Sequence, residues 1–257
     1  MSVLFHFDES DEDYLIFRLK ESIAENLKDT LPNLFRACYI EDDKLLDSMK
    51  ALSLDYKEIM NSYLPDEGNV KAGEFGEILS FFLLKEKHHH LNLWGPKKWL
   101  WKDDKNKPVQ KTDVILFHRN EVVSSEDVLI SAEVKCKSTK SNRDPIKDAV
   151  EGAKDDYLKR LAITMNWLND KYVKEINVEK INTLKRFRNP VKFGEFTTLY
   201  KAIAVIDKSF EIDEFKKTRE IDVFNGLEII VISIDMLKDT YENTYMGIYD
   251  KGGEFLA

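Results

Sequence analysis

Residues 9–30 interleave Tyr14, Leu15, Phe17, Leu19, Ile23 and Leu27 with charged positions, a pattern that predicts a helix bounded by Pro32. Leu45, Leu46, Met49, Leu52, Ile59 and Met60 predict one or two further helical pieces within 41–64. The run Pro65-Asp66-Glu67-Gly68-Asn69 is a turn signal and marks a candidate boundary. A stronger helix is predicted over 70–87, where Ile78, Leu79, Phe82 and Leu83 form an apolar stripe. Gly73 and Gly76 near its start would let another backbone approach closely. A first strand is expected around Trp99 to Trp101. Branched apolar runs at 112–117 and 128–135, bounded by polar turn residues, predict two more. Residues 144–170 read as helix, opened by Asp144-Pro145. The continuous apolar runs 200–206 and 227–234 predict strands buried on both faces. A helix between the strands near 135 and 200 permits a parallel, right-handed crossover. The predicted class is α/β, a mixed central sheet with helices on both sides and a helical N-terminal extension.

Composition adds limits. With 43% hydrophobic and 33% charged residues, the 257-residue chain has material for a sizeable core and reads as an ordinary soluble protein. No apolar run approaches a membrane span. The opening MSVLFHFDESDEDY is acidic and does not read as a secretory signal. Cys38 and Cys136 cannot make a disulfide framework, so a cytoplasmic location is expected.

Charge is uneven. Residues 1–69 hold 16 acidic and 7 basic residues, against an overall net charge of −8, so the remainder is near neutral. The acidic segment should repel phosphate and is expected to contact protein, not DNA. Residues 85–111 carry 8 Lys against 3 acids, and 171–192 carry 7 Lys/Arg against 2 acids. Either patch alone reads first as solvated surface. A near-neutral body implies weak, salt-dependent DNA affinity for the free chain.

The candidate chemistry lies on the strands. Glu133 and Lys135 in Glu133-Val134-Lys135 project to one face of their strand, and Val134 and Cys136 to the other. Both charged groups are expected to face a cleft. Asp113, near the start of the preceding strand, can bring a second carboxylate there. Glu74 and Glu77 lie on the helix before the sheet. An acid-x-Lys spacing alone is common, as Asp103-x-Lys105 shows. Its place inside an apolar strand sets Glu133-x-Lys135 apart, because a buried charged pair is expensive unless paired or liganded. Such carboxylates suit Mg²⁺, with Mn²⁺ a substitute, and Lys135 between them should stay charged and offset developing charge. A salt-bridged strand end is the bland alternative.

This ordered pattern resembles the PD-(D/E)xK nuclease superfamily, with Thr112-Asp113 in place of Pro-Asp. More narrowly, Lys71-Ala72-Gly73-Glu74-Phe75-Gly76-Glu77-Ile78-Leu79, Lys111-Thr112-Asp113 and Ala132-Glu133-Val134-Lys135-Cys136-Lys137 resemble the HamA family, nuclease subunits of Hachiman anti-phage systems, and the related AbpA proteins. The resemblance spans roughly 70–235. It implies a restriction-endonuclease-like fold for a nuclease domain over 67–257, whereas the helical N-terminal region over 1–66 is read from the apolar pattern alone. It also implies Mg²⁺-dependent cleavage of DNA with a partner helicase, HamB. A Gly-x-x-x-x-Gly-Lys-Ser/Thr loop is absent from the sequence, in keeping with ATP hydrolysis belonging to the partner. By position, Asp113, Glu133 and Glu77 become metal ligands and Lys135 the catalytic lysine. Glu74, one turn before Glu77, is an alternative helix carboxylate. A catalytically silent binding module and a stand-alone restriction or repair nuclease remain alternatives.

Other features read more plainly. His88-His89-His90 point in successive directions on a helix and are expected to form a polar helix end, not a zinc site. Trp94, Trp99 and Trp101 can stack on bases, but core or interface roles come first. Cys136 is expected to be a small buried hydrophobe. A Gly-x-Ser-x-Gly elbow is lacking, which disfavours a serine hydrolase.

Overall fold

The computed structural model describes residues 5–10, 14–19, 21–217 and 221–250. Strands β1 (Phe5–Ser10) and β2 (Tyr14–Leu19) precede helices α1 (Glu21–Tyr39), α2 (Asp42–Leu52), α3 (Tyr56–Tyr63) and α4 (Gly68–Lys87). Strands β3 (Val114–His118) and β4 (Val128–Lys137) come next. They are followed by α5 (Pro145–Asp155), a π-helical turn (Asp156–Arg160), α6 (Leu161–Lys174), α7 (Val178–Arg188) and α8 (Pro190–Phe193). Then come β5 (Thr197–Asp207), α9 (Glu211–Lys217), β6 (Leu227–Ile234) and α10 (Leu237–Asp250).

The described strands form one six-stranded sheet in the order β1-β2-β6-β5-β4-β3. The central neighbours β2/β6, β6/β5 and β5/β4 are parallel, while β1/β2 and β3/β4 are antiparallel pairs at the two edges. This is the expected mixed α/β sheet. Helices α5 to α8 carry the chain from β4 to its parallel neighbour β5, the crossover that the sequence allowed.

Side-chain alternation splits the core in two. Val134 of β4, Ile203 and Val205 of β5, and Ile230 and Ile232 of β6 pack with Phe35 of α1, Phe75 and Ile78 of α4, and Tyr241 and Tyr245 of α10. On the opposite face Ala202, Ala204 and Val231 meet Ile146, Ala149, Val150 and Ala153 of α5. The small alanines let α5 sit close. Toward the β3 edge that same face is covered by α6 and α7, where Met165, Leu168, Leu184 and Phe187 pack on Ile115, Phe117 and Leu129. Burial on both faces explains the unbroken apolar runs of β5 and β6.

Three expectations are corrected. Residues 9–30 are not one helix: β1 and β2 take 5–10 and 14–19, and α1 starts at Glu21. Tyr14 and Ile16 belong to one core and Phe17 to the other, so β2 is apolar on both faces and its period of two is hidden. Pro32 does not bound a helix but lies inside α1. An interior proline costs about 3 kcal/mol, whereas burying Leu31, Phe35 and Tyr39 contributes about 1.5–3 kcal/mol each, so packing wins. Finally, Trp99 to Trp101 is not a strand but part of a 3₁₀ turn, Lys98–Trp101. It is the stretch before this turn that touches the sheet edge, as a bridge between Trp94 and Phe117, and Pro96, without an N–H, cannot prolong it.

The N-terminal segment is therefore part of the sheet rather than wholly helical. The turn at 65–69 does fall between α3 and α4, but the sheet and one core run across it: β2 pairs with β6, and Leu31, Tyr56 and Met60 share a cluster with α4 and β4. The 119–127 connection of the β3/β4 hairpin is organised by Asp127. It accepts from the Asn120 N–H at 2.8 Å and from Nε of the buried Arg186 at 2.8 Å.

Candidate active site

β4 sets the first two groups. Glu133 pairs in register with Ala202 and Lys135 with Ala204, so both side chains rise on the α5 face, as alternation predicts. Val134 and Cys136 lie on the α4 side, where a Cβ on Gly76 would meet Cys136 Cβ at 3.4 Å and Val134 Cγ1 at 3.5 Å. The close backbone approach expected at Gly73 and Gly76 is not seen: at Gly76 the nearest atoms are side chains in ordinary contact, and at Gly73 nothing lies within 4 Å of that position. Lys135 is 37% exposed at its side chain, but Glu133 is buried at 2% and does not face an open cleft. It lies beneath α5, in room left by Gly152: a Cβ there would come within 2.5 Å of Glu133 Cγ.

β3 supplies the third group. Val114 stands opposite Ala132 in an antiparallel register, which places Asp113, just before the strand, across from Glu133. Asp113 Oδ2 accepts from the Val134 N–H at 2.9 Å, fixing its carboxylate to the β4 backbone. Its other oxygen lies 3.4 Å from Lys98 Nζ, and Lys98 Nζ lies 3.2 Å from Glu77 Oε2. Trp99 Nε1 donates to that same Glu77 oxygen at 2.9 Å. Lys98 thus bridges the helix carboxylate to Asp113. Glu74 belongs elsewhere, to Lys102 and the hydroxyl of Tyr39. Of the two helix acids, Glu77 is the one joined to the site.

Besides Lys98, two groups escaped sequence reasoning. Arg160, at the end of the π-helical turn, bridges Glu133 Oε2 and Asp156 and donates to the Gly152 carbonyl at 2.8 Å. Lys135 takes Glu133 Oε1. Asp156 also accepts from Ser131 at 3.0 Å and Thr112 at 3.1 Å, tying the turn to β4 and to the residue before Asp113. The signal available was Asp156-x-x-x-Arg160, an i,i+4 pair that surface helices carry routinely.

The electrostatics follow from this packing. Burial pushes the Glu133 carboxyl up to about 7, and the nearby Asp113 adds to it against the pull of Lys135 and Arg160. Asp113 is also raised by burial, but Lys98, Lys135, the Val134 N–H and Arg160 outweigh this and hold it below the usual range. Lys135 and Lys98 both stay cationic, held up by the carboxylates beside them despite burial. Burial drives Glu77 up to about 8; Lys98 opposes this, and Asp113 and Glu74 reinforce it.

Glu77 has a consequence for stability. The folded chain holds its proton up to about pH 8, while the unfolded chain releases it near 4.5. Between those values the unfolded state binds fewer protons, so this group makes stability fall as pH rises from about 4.5 to about 8. Glu77→Gln removes that dependence. The melting temperature of the variant relative to wild type is expected to rise between about pH 5 and pH 9, and an unchanged difference would refute the assignment.

The donor set around Asp113 is sparse for a cation. Among the described residues no three His, Cys, Asp or Glu side chains are grouped to hold a metal ion. Glu77 is not brought into one ligand group with Asp113 and Glu133, because Lys98 stands between it and Asp113. Asp113 and Glu133 are a facing carboxylate pair, which fits Mg²⁺, an ion that takes one or two carboxylates and keeps waters. Lys98 is paired to Asp113, and Lys135 and Arg160 to the two oxygens of Glu133, so these cations would have to shift to admit an ion.

The remaining candidates take structural places. His88 to His90 follow the end of α4 and start a 3₁₀ turn, and burial lowers His88 to about 4. Trp99 is in the core. Trp101 packs edge-on against Trp167 and Tyr172, and Trp94 stacks on Phe117 beneath Lys180. Burial pushes the Cys136 thiol up to about 12, so it is unreactive. In the first basic patch Lys87, Lys98, Lys102, Lys105 and Lys107 are ion-paired to acids, which leaves little free charge for phosphates. No described helix is long and apolar enough to cross a membrane.

A family model described as HamA matches residues 3–248 of the 257. A comparison with curated proteins gave no match.

Proposed function

The chain belongs to the HamA family, components of the Hachiman anti-phage defence system, and from that premise we propose that it is a metal-dependent DNA nuclease of that system, working with a helicase partner. The observation that carries this reading is the facing pair Asp113 and Glu133 with Lys135 beside it, on adjacent strands, in a family devoted to defence.

In this reading Asp113 and Glu133 would hold the cation. Bound Mg²⁺ would supply Lewis-acid polarisation of the phosphate and a more acidic water. Lys135, more exposed than Glu133 and paired to its Oε1, would offset charge growing on the phosphate oxygens and help orient the attacking water. Arg160 fixes the second oxygen of Glu133 and adds positive charge behind it. The Val134 N–H holds Asp113 in one orientation throughout.

The test is DNA cleavage by the purified chain with its helicase partner and ATP, with Mg²⁺ or Mn²⁺ and with a chelator. Cleavage with either metal and its loss on chelation are expected. Silence with both metals and the partner present would make the chain a binding module instead.

A further inference from the structure

Beside the carboxylate cluster runs an open cleft of about 420 Å³, between the π-helical turn with α6 on one side and the start of β5 on the other. Its floor continues the active face of the sheet. Leu129 pairs with Thr198 and Ser131 with Tyr200 in the same register that pairs Glu133 with Ala202. Side chains two residues apart share a face, so the row of Ser131 and Tyr200 lies about 7 Å from that of Glu133. Asp156 lines the cleft while its carboxylate contacts Arg160 and Ser131, joining the cleft to the site.

The cleft has an aromatic wall and a cationic rim. Tyr157 packs on Tyr200 and Phe224, with ring centroids 5.3 and 4.9 Å away, yet remains 56% exposed. Lys159 and Arg188 are exposed at its margin. An aromatic face offers stacking to any base, and cations beside it suit a phosphate backbone. The tryptophans do not offer this combination, since Trp99 is buried and Trp94, Trp101 and Trp167 are only partly exposed.

Resting on the nuclease reading, we infer that this cleft holds an unpaired nucleotide of the DNA strand, adjacent to the one whose phosphate reaches Glu133 and Lys135. Tyr157 stacks on the base, and Lys159 and Arg188 hold the flanking phosphates. The enzyme therefore prefers single-stranded or locally opened DNA, the form a helicase delivers.

The test is fluorescence anisotropy of an end-labelled dT oligonucleotide with the full chain, at low salt and in chelator so that nothing is cut. Tyr157→Ala is expected to weaken binding about tenfold and Tyr157→Phe to retain it, with less loss for a duplex of equal length. Arg188→Ala should weaken binding and flatten its salt dependence. Circular dichroism melts would establish that the variants are folded, which the exposure of Tyr157 favours. Equal binding of dT by wild type and Tyr157→Ala overturns the inference, as does a wild-type chain that binds no dT. Unchanged DNA binding with loss of helicase co-purification overturns it too, and makes the cleft a protein-docking site. Failure of the nuclease reading looks different: Tyr157-dependent binding persists, but metal and partner yield no cleavage.

Discussion

Glu133→Gln and Lys135→Ala are each expected to lower DNA cleavage about a hundredfold or more while leaving the chain folded. Groups that stabilise charge in a transition state contribute on that scale. Glu133→Gln keeps the shape of the buried side chain and one acceptor for Arg160, but removes the anionic ligand. Truncation to alanine would be a poorer probe. Glu133 is buried and its oxygens are taken by Lys135 and Arg160, so losing it strands two cations in a partly closed site. Lys135, at 37% side-chain exposure, can be shortened with little effect on packing. The measurement is single-turnover cleavage with the partner helicase, alongside thermal melts. Wild-type rates in the double variant would place the chemistry elsewhere in the molecule.

Gly152→Ala is the second large effect, and it acts without removing any functional group. By helix propensity alone, alanine should stabilise α5 by about 1 kcal/mol. The added methyl, however, would lie 2.5 Å from Glu133 Cγ and Oε1. Either the helix or the carboxylate must move, and the carboxylate is the softer of the two. A displacement of about 1 Å at a reacting centre can cost about a hundredfold in rate. The expected result is a folded protein, with a melting temperature near wild type, whose cleavage falls about a hundredfold at saturating Mg²⁺. Full activity in this variant would mean that Glu133 tolerates relocation and is not held in place for catalysis.

Much of this arrangement was legible in the residues. Alternation along β4 separated Glu133 and Lys135 from Val134 and Cys136, and the apolar runs of β3, β5 and β6 placed the sheet. Asp113 could be assigned because an antiparallel neighbour brings its end to the same place. What remained hidden was hidden for physical reasons. β2 is buried on both faces, so its pattern matches a helix as well as a strand. Lys98 sits in a lysine-rich stretch where nothing local distinguishes the buried ammonium from the exposed ones. Arg160 depends on a break in helical geometry between α5 and α6, which no residue type announces. The depth of Glu133 depends on Gly152, nineteen positions later, and contact at that range is invisible to periodicity.

The π-helical turn has a consequence for what lengths this chain can adopt. A regular α-helix advances about 100° per residue, and a single π turn accommodates about one residue more than an α turn. Upstream, α5 lays Ile146, Ala149, Val150 and Ala153 on the middle of the sheet; downstream, α6 lays Met165 and Leu168 against Leu129 near the β3 edge. The extra residue sets the phase between these two stripes. Removing one exposed residue from the turn, such as Leu158, would give a smoother helix and a worse protein. Either the α6 stripe would rotate by about a quarter turn off its half of the core, or Arg160 would swing away from Glu133. Substitutions at that exposed position are cheap, while a change of length is not. The turn works as a spacer whose count matters more than its composition.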